Sequence, residues 1–165
     1  MEIMVKKLLT ILLIVFIAVL ISSCFDILHD QITYTISPEY YTTFKFSQFG
    51  LLPYVTQNNM RTMVSITGVI ATWWVGFILG LIFALLSLRL IVPKKMILAS
   101  IKAMVLAICY TVVLAVAGYI YSGIILIHSD NFIIVGSIHT ASYIGALIGL
   151  IAGSRYILKR KTLAI

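Results

Sequence analysis

The stretch "MVSITGVIATWWVGFILGLIFALLSL", Met63 to Leu88, contains no charged residue from end to end. A hydrocarbon core of about 30 Å is crossed by about 20 helical residues, so this run is long enough to span a bilayer. It has no strict apolar–polar alternation. Inside lipid every backbone N–H and C=O must be satisfied within its own segment or in a closed barrel, so a run of this kind predicts a helix. Three further runs qualify: Leu8 to Phe25, Ala103 to Ile127 and Gly136 to Leu158. Of the 165 residues 62% are apolar and 10% charged, against roughly 45–50% and roughly 25% in soluble domains. The expected fold is an all-α membrane protein, a single domain of four transmembrane helices at 8–25, 63–88, 103–127 and 136–158, with residues 26–62 as a structured loop.

Charge placement orients the chain. Lys6, Lys7, Arg89, Lys94, Lys95, Lys102, Arg155, Lys159, Arg160 and Lys161 flank one set of helix ends, and only Lys45 and Arg61 flank the other. Basic residues are retained on the cytoplasmic side, so both termini are expected there and the 26–62 loop on the outer face. Four of the five acids, Asp26, Asp30, Glu39 and Asp130, fall on the outer side. The formal charge of +7 is therefore a topology and headgroup signal. It does not point to nucleic acid.

The loop contains the one long polar and aromatic passage, "HDQITYTISPEYYTTFKFSQFG", His29 to Gly50. Ile32 to Ile36 alternate as a short strand does. Ser37, Pro38 and Glu39 then provide a capping hydroxyl, a proline at the first helical position and an acid at the positive end of the dipole. The following segment, with Tyr40, Tyr41, Phe44, Phe46 and Phe49, predicts an interfacial helix whose rings lie at headgroup level. Gly50 and Pro53 end it. The passage is expected to form a lid over the outer end of the bundle, with aromatic anchoring as the plainer role and ligand contact as the other.

Small residues recur at every fourth position in three helices. Gly68, Thr72, Gly76, Gly80 and Ala84 form one row; Ala99, Ala103, Ala107, Thr111 and Ala115 a second; Ser137, Ala141, Gly145, Gly149 and Gly153 a third. Such rows let helix backbones approach closely where lipid removes the hydrophobic drive. Gly68, Gly76, Gly80, Gly145, Gly149 and Gly153 are accordingly expected at close crossings, either within the bundle or across a homo-oligomer interface.

"HDQITYTISPEYYTTFKFSQFG" followed by "ATWWVGFILGL" resembles a family of small, uncharacterised bacterial multi-pass membrane proteins with a similar loop and a similar Ala-Thr-Trp-Trp-Val-Gly helix. The resemblance covers about a third of the chain. It implies a bacterial inner membrane setting and carries no catalytic residue with it.

Phosphate-loop, His-Glu-x-x-His, Gly-x-Ser-x-Gly and Cys-x-x-Cys patterns are all missing from the sequence, which leaves ATP-driven and familiar hydrolase chemistry without support. Only Thr72, Cys109, Tyr110 and Thr111 bring polar atoms near mid-helix, whereas an ion-coupled carrier keeps an ionisable group at that depth. "ISSC", Ile21 to Cys24, resembles a lipobox, with Cys24 as the residue that would be acylated; the expected alternative is an uncleaved first helix. The three histidines, His29, His128 and His139, all fall in the outer third, accompanied by Asp30 and Asp130. Imidazole with carboxylate is the donor set of a transition-metal site or of a proton-transferring pair. The plainer reading is that these residues mark the water boundary.

The reading these residues favour is a non-enzymatic membrane component that binds partner proteins, copies of itself or lipid, with no cofactor required. An outer-face metal-binding protein or enzyme using the His/Asp/Glu residues, and a channel or permease subunit, remain open beside it.

Overall fold

The computed structural model describes residues 2–125 and 130–160. It is about 89% helical, with no strand among the described residues. The chain runs through α1 (Glu2–Ile36), a lid, α3 (Met60–Ser87), α4 (Pro93–Ile120) and α5 (Asn131–Leu158). The lid consists of a π-helical turn (Tyr40–Lys45), the short α2 (Phe46–Gln48) and a 3₁₀ turn (Leu52–Tyr54). Four helices are long and apolar enough to cross a membrane. Leu12, Phe16, Val113 and Leu147 are 59%, 60%, 62% and 63% exposed on the outside of the bundle. Lipid tails take the place of water around such side chains, and this is a multi-pass membrane protein by the length and composition of its helices.

The first helix corrects the expected boundary. It does not end near Phe25 but continues unbroken for 35 residues to Ile36, a length of about 52 Å at 1.5 Å per residue. No glycine or proline interrupts it. Thr33 and Thr35 donate their hydroxyls back to the carbonyls of His29 and Gln31 at 3.0 and 2.9 Å. The expected strand at Ile32–Ile36 is therefore helix. Five alternating residues are too few to outweigh a propagating helix, and a lone strand at the membrane boundary would leave its backbone groups unpaired. What stops α1 is Pro38, which disfavours helical geometry at Ser37.

Helices α4 and α5 also begin earlier than expected. Pro93 occupies the first turn of α4, so the helix includes Lys94, Lys95 and Lys102, which an apolar count leaves out. Asp130 caps α5 by accepting from the Ile133 N–H at 2.8 Å. The expected end of α4 at Ile127 lies outside the described residues.

Two hairpins form the bundle, α1 with α3 and α4 with α5. A Cβ on Gly68 would meet the Asp26 carbonyl at 2.9 Å, one on Gly76 the Ala18 carbonyl at 2.7 Å, and one on Gly80 the Ala18 methyl at 2.6 Å. In the other hairpin Gly145, Gly149 and Gly153 face Tyr110, Ala107 and Ala103, with approaches of 2.6, 2.5 and 3.0 Å. These faces are turned to helices of the same chain. Phe83, Met96, Ala103 and Ile157, all buried, join the hairpins near the end that carries both termini. There Arg89 donates to the Leu158 carbonyl at 2.6 Å and Lys7 to that of Leu88 at 3.4 Å.

At the opposite end, the lid is packed inward. Tyr41 and Phe46 are 0% exposed, with Tyr40 at 7%. They cluster with Met63 and Val64 of α3 and Val135 of α5. The expectation that these rings lie at headgroup level is corrected for Tyr40, Tyr41 and Phe46; of the lid's aromatic side chains, Phe44 and Tyr54 remain exposed. The reason is the long α1, which carries the start of the lid above the bundle and lets it fold back over the helix ends. Ser37 caps the lid by accepting from the Tyr40 N–H at 3.3 Å. Gly50, at φ +68°, supplies the left-handed residue that closes α2.

Candidate functional site

Because α1 stays helical past Phe25, Asp26, His29, Asp30 and Thr33 fall on one face, at spacings of three and four. That face looks into the bundle beneath the lid. Asp30 and Thr33 are 0% and 1% exposed, and Asp26 6%. His139, from the third turn of α5, enters the same space from the opposite hairpin, and its ring lies 4.8 Å from that of His29.

The electrostatics centre on Asp30. Lys45, carried by the lid, donates to both its carboxylate oxygens at 2.9 and 3.1 Å. His29 Nδ1 is 3.7 Å from Asp30 Oδ1 and 3.6 Å from Asp26 Oδ1, and His139 Nε2 is 3.8 Å from Asp30 Oδ1. These three separations are too long for hydrogen bonds. His29 Nδ1, His139 Nε2 and Asp26 Oδ2 are buried and have no hydrogen-bond partner. Buried polar atoms are ordinarily paired, and leaving one unpaired costs about 1–3 kcal/mol.

Ser142 ties His29 to α5. Its hydroxyl donates to the Ile138 carbonyl at 2.8 Å, and its oxygen lies 3.3 Å from His29 Nε2. The other ring nitrogen, Nδ1, faces the carboxylates of Asp26 and Asp30.

The lid seals this space from above. Tyr41 shares a 2.6 Å hydrogen bond with Thr33, and the Tyr40 ring stacks on His139 with centroids 5.4 Å apart. Burial, with Tyr143 and Asp30 close by, pushes the Tyr40 phenol up to about 12. Burial beside Asp30 drives the Tyr41 phenol up further. Both are therefore neutral at physiological pH. Below the cluster lies a cavity of about 80 Å³ shared by all four membrane helices, with Ser22, Thr72, Ala107 and Ala146 among its walls and Asp26, His29 and His139 at its head.

His29, His139 and Asp30 thus come together, each offering a ligand atom within 4.8 Å of the others. Asp130 does not join them, because it caps α5 and is exposed. His128 lies outside the described residues. Cys24 is exposed in the interior of α1, away from the cluster. Sequence reading placed Tyr41 among the lid's aromatic rings and Lys45 on the outer side without naming a partner for either, and it passed over Thr33 and Ser142. For Lys45 a signal was present, a single cation in an otherwise aromatic segment, but no nearby acid in the sequence named its partner.

No known relative decides the matter. No family model matches the chain, and neither a curated protein nor a solved structure is significantly similar to it. The function is therefore argued from the geometry.

Proposed function

We propose that this chain is a non-enzymatic membrane protein that binds a small cationic ligand in the lidded chamber between its hairpins. The observation that carries the reading is the set of three buried, unpartnered polar atoms on Asp26, His29 and His139 that face one space. Ionisable groups inside a membrane bundle are costly and mark sites of function by default. Asp30 is matched by Lys45, whereas Asp26 Oδ2, His29 Nδ1 and His139 Nε2 have no hydrogen-bond partner, so a positively charged guest that takes up such donor atoms is the complementary one.

All six of the predicted glycines face helices of their own chain, so these rows serve the packing of the two hairpins around the chamber. With ten basic residues flanking one set of helix ends and two the other, the proposed setting is a bacterial inner membrane with both termini cytoplasmic and the lid outside. The test is native mass spectrometry of the gently solubilised protein, with a thermal-shift screen of metal and organic cations. Wild type is expected to carry or take up a cation that His29→Gln and His139→Gln lose. Identical adducts and shifts in all three proteins would return the cluster to a structural role.

A further inference from the structure

The chamber's donor atoms narrow the kind of cation. Its unpartnered atoms are two imidazole nitrogens and a carboxylate oxygen, His29 Nδ1, His139 Nε2 and Asp26 Oδ2. The side chains that carry them are 10%, 9% and 9% exposed. Asp30 Oδ1 completes the group, 3.7 and 3.8 Å from the two imidazole nitrogens. Two ligands bound at about 2.1 Å to a tetrahedral ion stand roughly 3.4 Å apart, so the two imidazole–carboxylate separations need a few tenths of an ångström of closure, and the widest pair of the group, within 4.8 Å, needs a side-chain shift of about an ångström more. The far ring nitrogen of His29 is engaged as well: Nε2 lies 3.3 Å from Ser142 Oγ, while Nδ1 faces the carboxylates. An outer hydrogen bond on the far ring nitrogen is the usual arrangement around a metal-bound histidine.

We infer that His29, His139 and Asp30, with Asp26 beside His29, form a site for one divalent first-row transition-metal ion of the class that accepts imidazole and carboxylate together, such as Zn(II), Fe(II) or Co(II). This rests on the reading of the chamber as a cation-binding site and names its ligand. Mixed nitrogen and oxygen donors disfavour Ca(II) and Mg(II), which take oxygen shells. Lys45 does not close the site. Its ammonium donates to Asp30 as neighbouring donors do for metal-bound carboxylates, and it offsets that carboxylate's charge. Lys45 therefore moderates affinity, and it links the metal to the position of the lid.

The experiment uses the full chain in detergent or nanodiscs, stripped with chelator and titrated with Co(II) and then Zn(II). Wild type is expected to bind one Co(II) per chain with visible d–d absorption, displaced by Zn(II). His29→Gln and His139→Gln are each expected to weaken binding by more than the about 10- to 100-fold that outer-shell changes bring. Asp130→Asn, which alters only the α5 cap, keeps wild-type binding. Asp26→Asn keeps the size of the side chain beside His29, and its Co(II) binding is compared with that of wild type at matched helicity and monodispersity, so that a loss is read as a loss of the site and not of the fold. Wild type without stoichiometric Co(II) or Zn(II), or equal binding in all these variants, overturns the proposal. If an organic cation is instead retained and lost with the histidines, the metal is wrong and the chamber reading stands. If nothing binds, both fall.

Discussion

Lys45 Nζ lies 2.9 and 3.1 Å from the two oxygens of Asp30, with the Asp30 side chain 0% and that of Lys45 7% exposed. This ion pair is the fastening between lid and bundle. Its carboxylate comes from a helix and its ammonium from the segment folded over that helix's end. Burying both ions costs several kcal/mol, and removing one partner leaves the other uncompensated.

Lys45→Met is therefore expected to destabilise the protein by about 3–5 kcal/mol, while Lys45→Met with Asp30→Leu recovers much of that loss. Denaturant titration in mixed micelles measures both. A double variant as unstable as the single one would show that the pair is not what the lid rests on.

Proton linkage of the lid phenols sets an alkaline limit. Tyr40 is held protonated by burial, with its pKa raised from 10.0 to about 12. A raised tyrosine pKa means that the native state keeps its proton where the unfolded state has lost it. The associated stability is full below about pH 10 and declines as pH rises toward 12. Lid loosening above about pH 10, followed by limited proteolysis near Gln57, is expected to shift in Tyr40→Phe. An unchanged profile in that variant would remove the phenol from the explanation.

Gly149→Leu places side-chain atoms where a Cβ already stands 2.5 Å from the Ala107 Cα, so it pushes α4 and α5 apart. Leu147→Ala trims a side chain that is 63% exposed, where lipid fills the space. Yield and monodispersity after purification are expected to collapse for the first and hold for the second. Equal behaviour would mean that the close crossing contributes little to assembly.

Orientation can be read with reporters. A cytoplasmic reporter fused after Ile165 is expected to be active, and a tag inserted at the exposed Gln57 to be labelled from outside, because ten basic residues flank one set of ends and two the other. External labelling of the C-terminus would reverse the proposed topology.

Four apolar runs, the absence of alternation within them and the bilayer's demand for satisfied backbone groups are properties of the sequence alone, and they determine four long helices. The spacing of His29 between Asp26 and Asp30 was legible too, because three- and four-residue steps share a face wherever helix persists. Whether it persists past Phe25 was not legible. The Ile32–Ile36 alternation is compatible with strand, and only the tertiary structure shows α1 carrying through to Ile36, after which the lid can fold back. The hairpin partners of the glycine rows were likewise undecided, since a small residue advertises close approach without naming what approaches.

The site itself belongs to tertiary structure. His139 meets Asp30 only because α5 packs beside α1, and Lys45 meets it only because Tyr41 and Phe46 bury themselves under the lid. Local sequence encodes helix faces and caps through contacts three or four residues apart. A constellation gathered from positions 26 to 139 depends on how two hairpins and a lid share a single interior, and that is decided by packing over the whole chain.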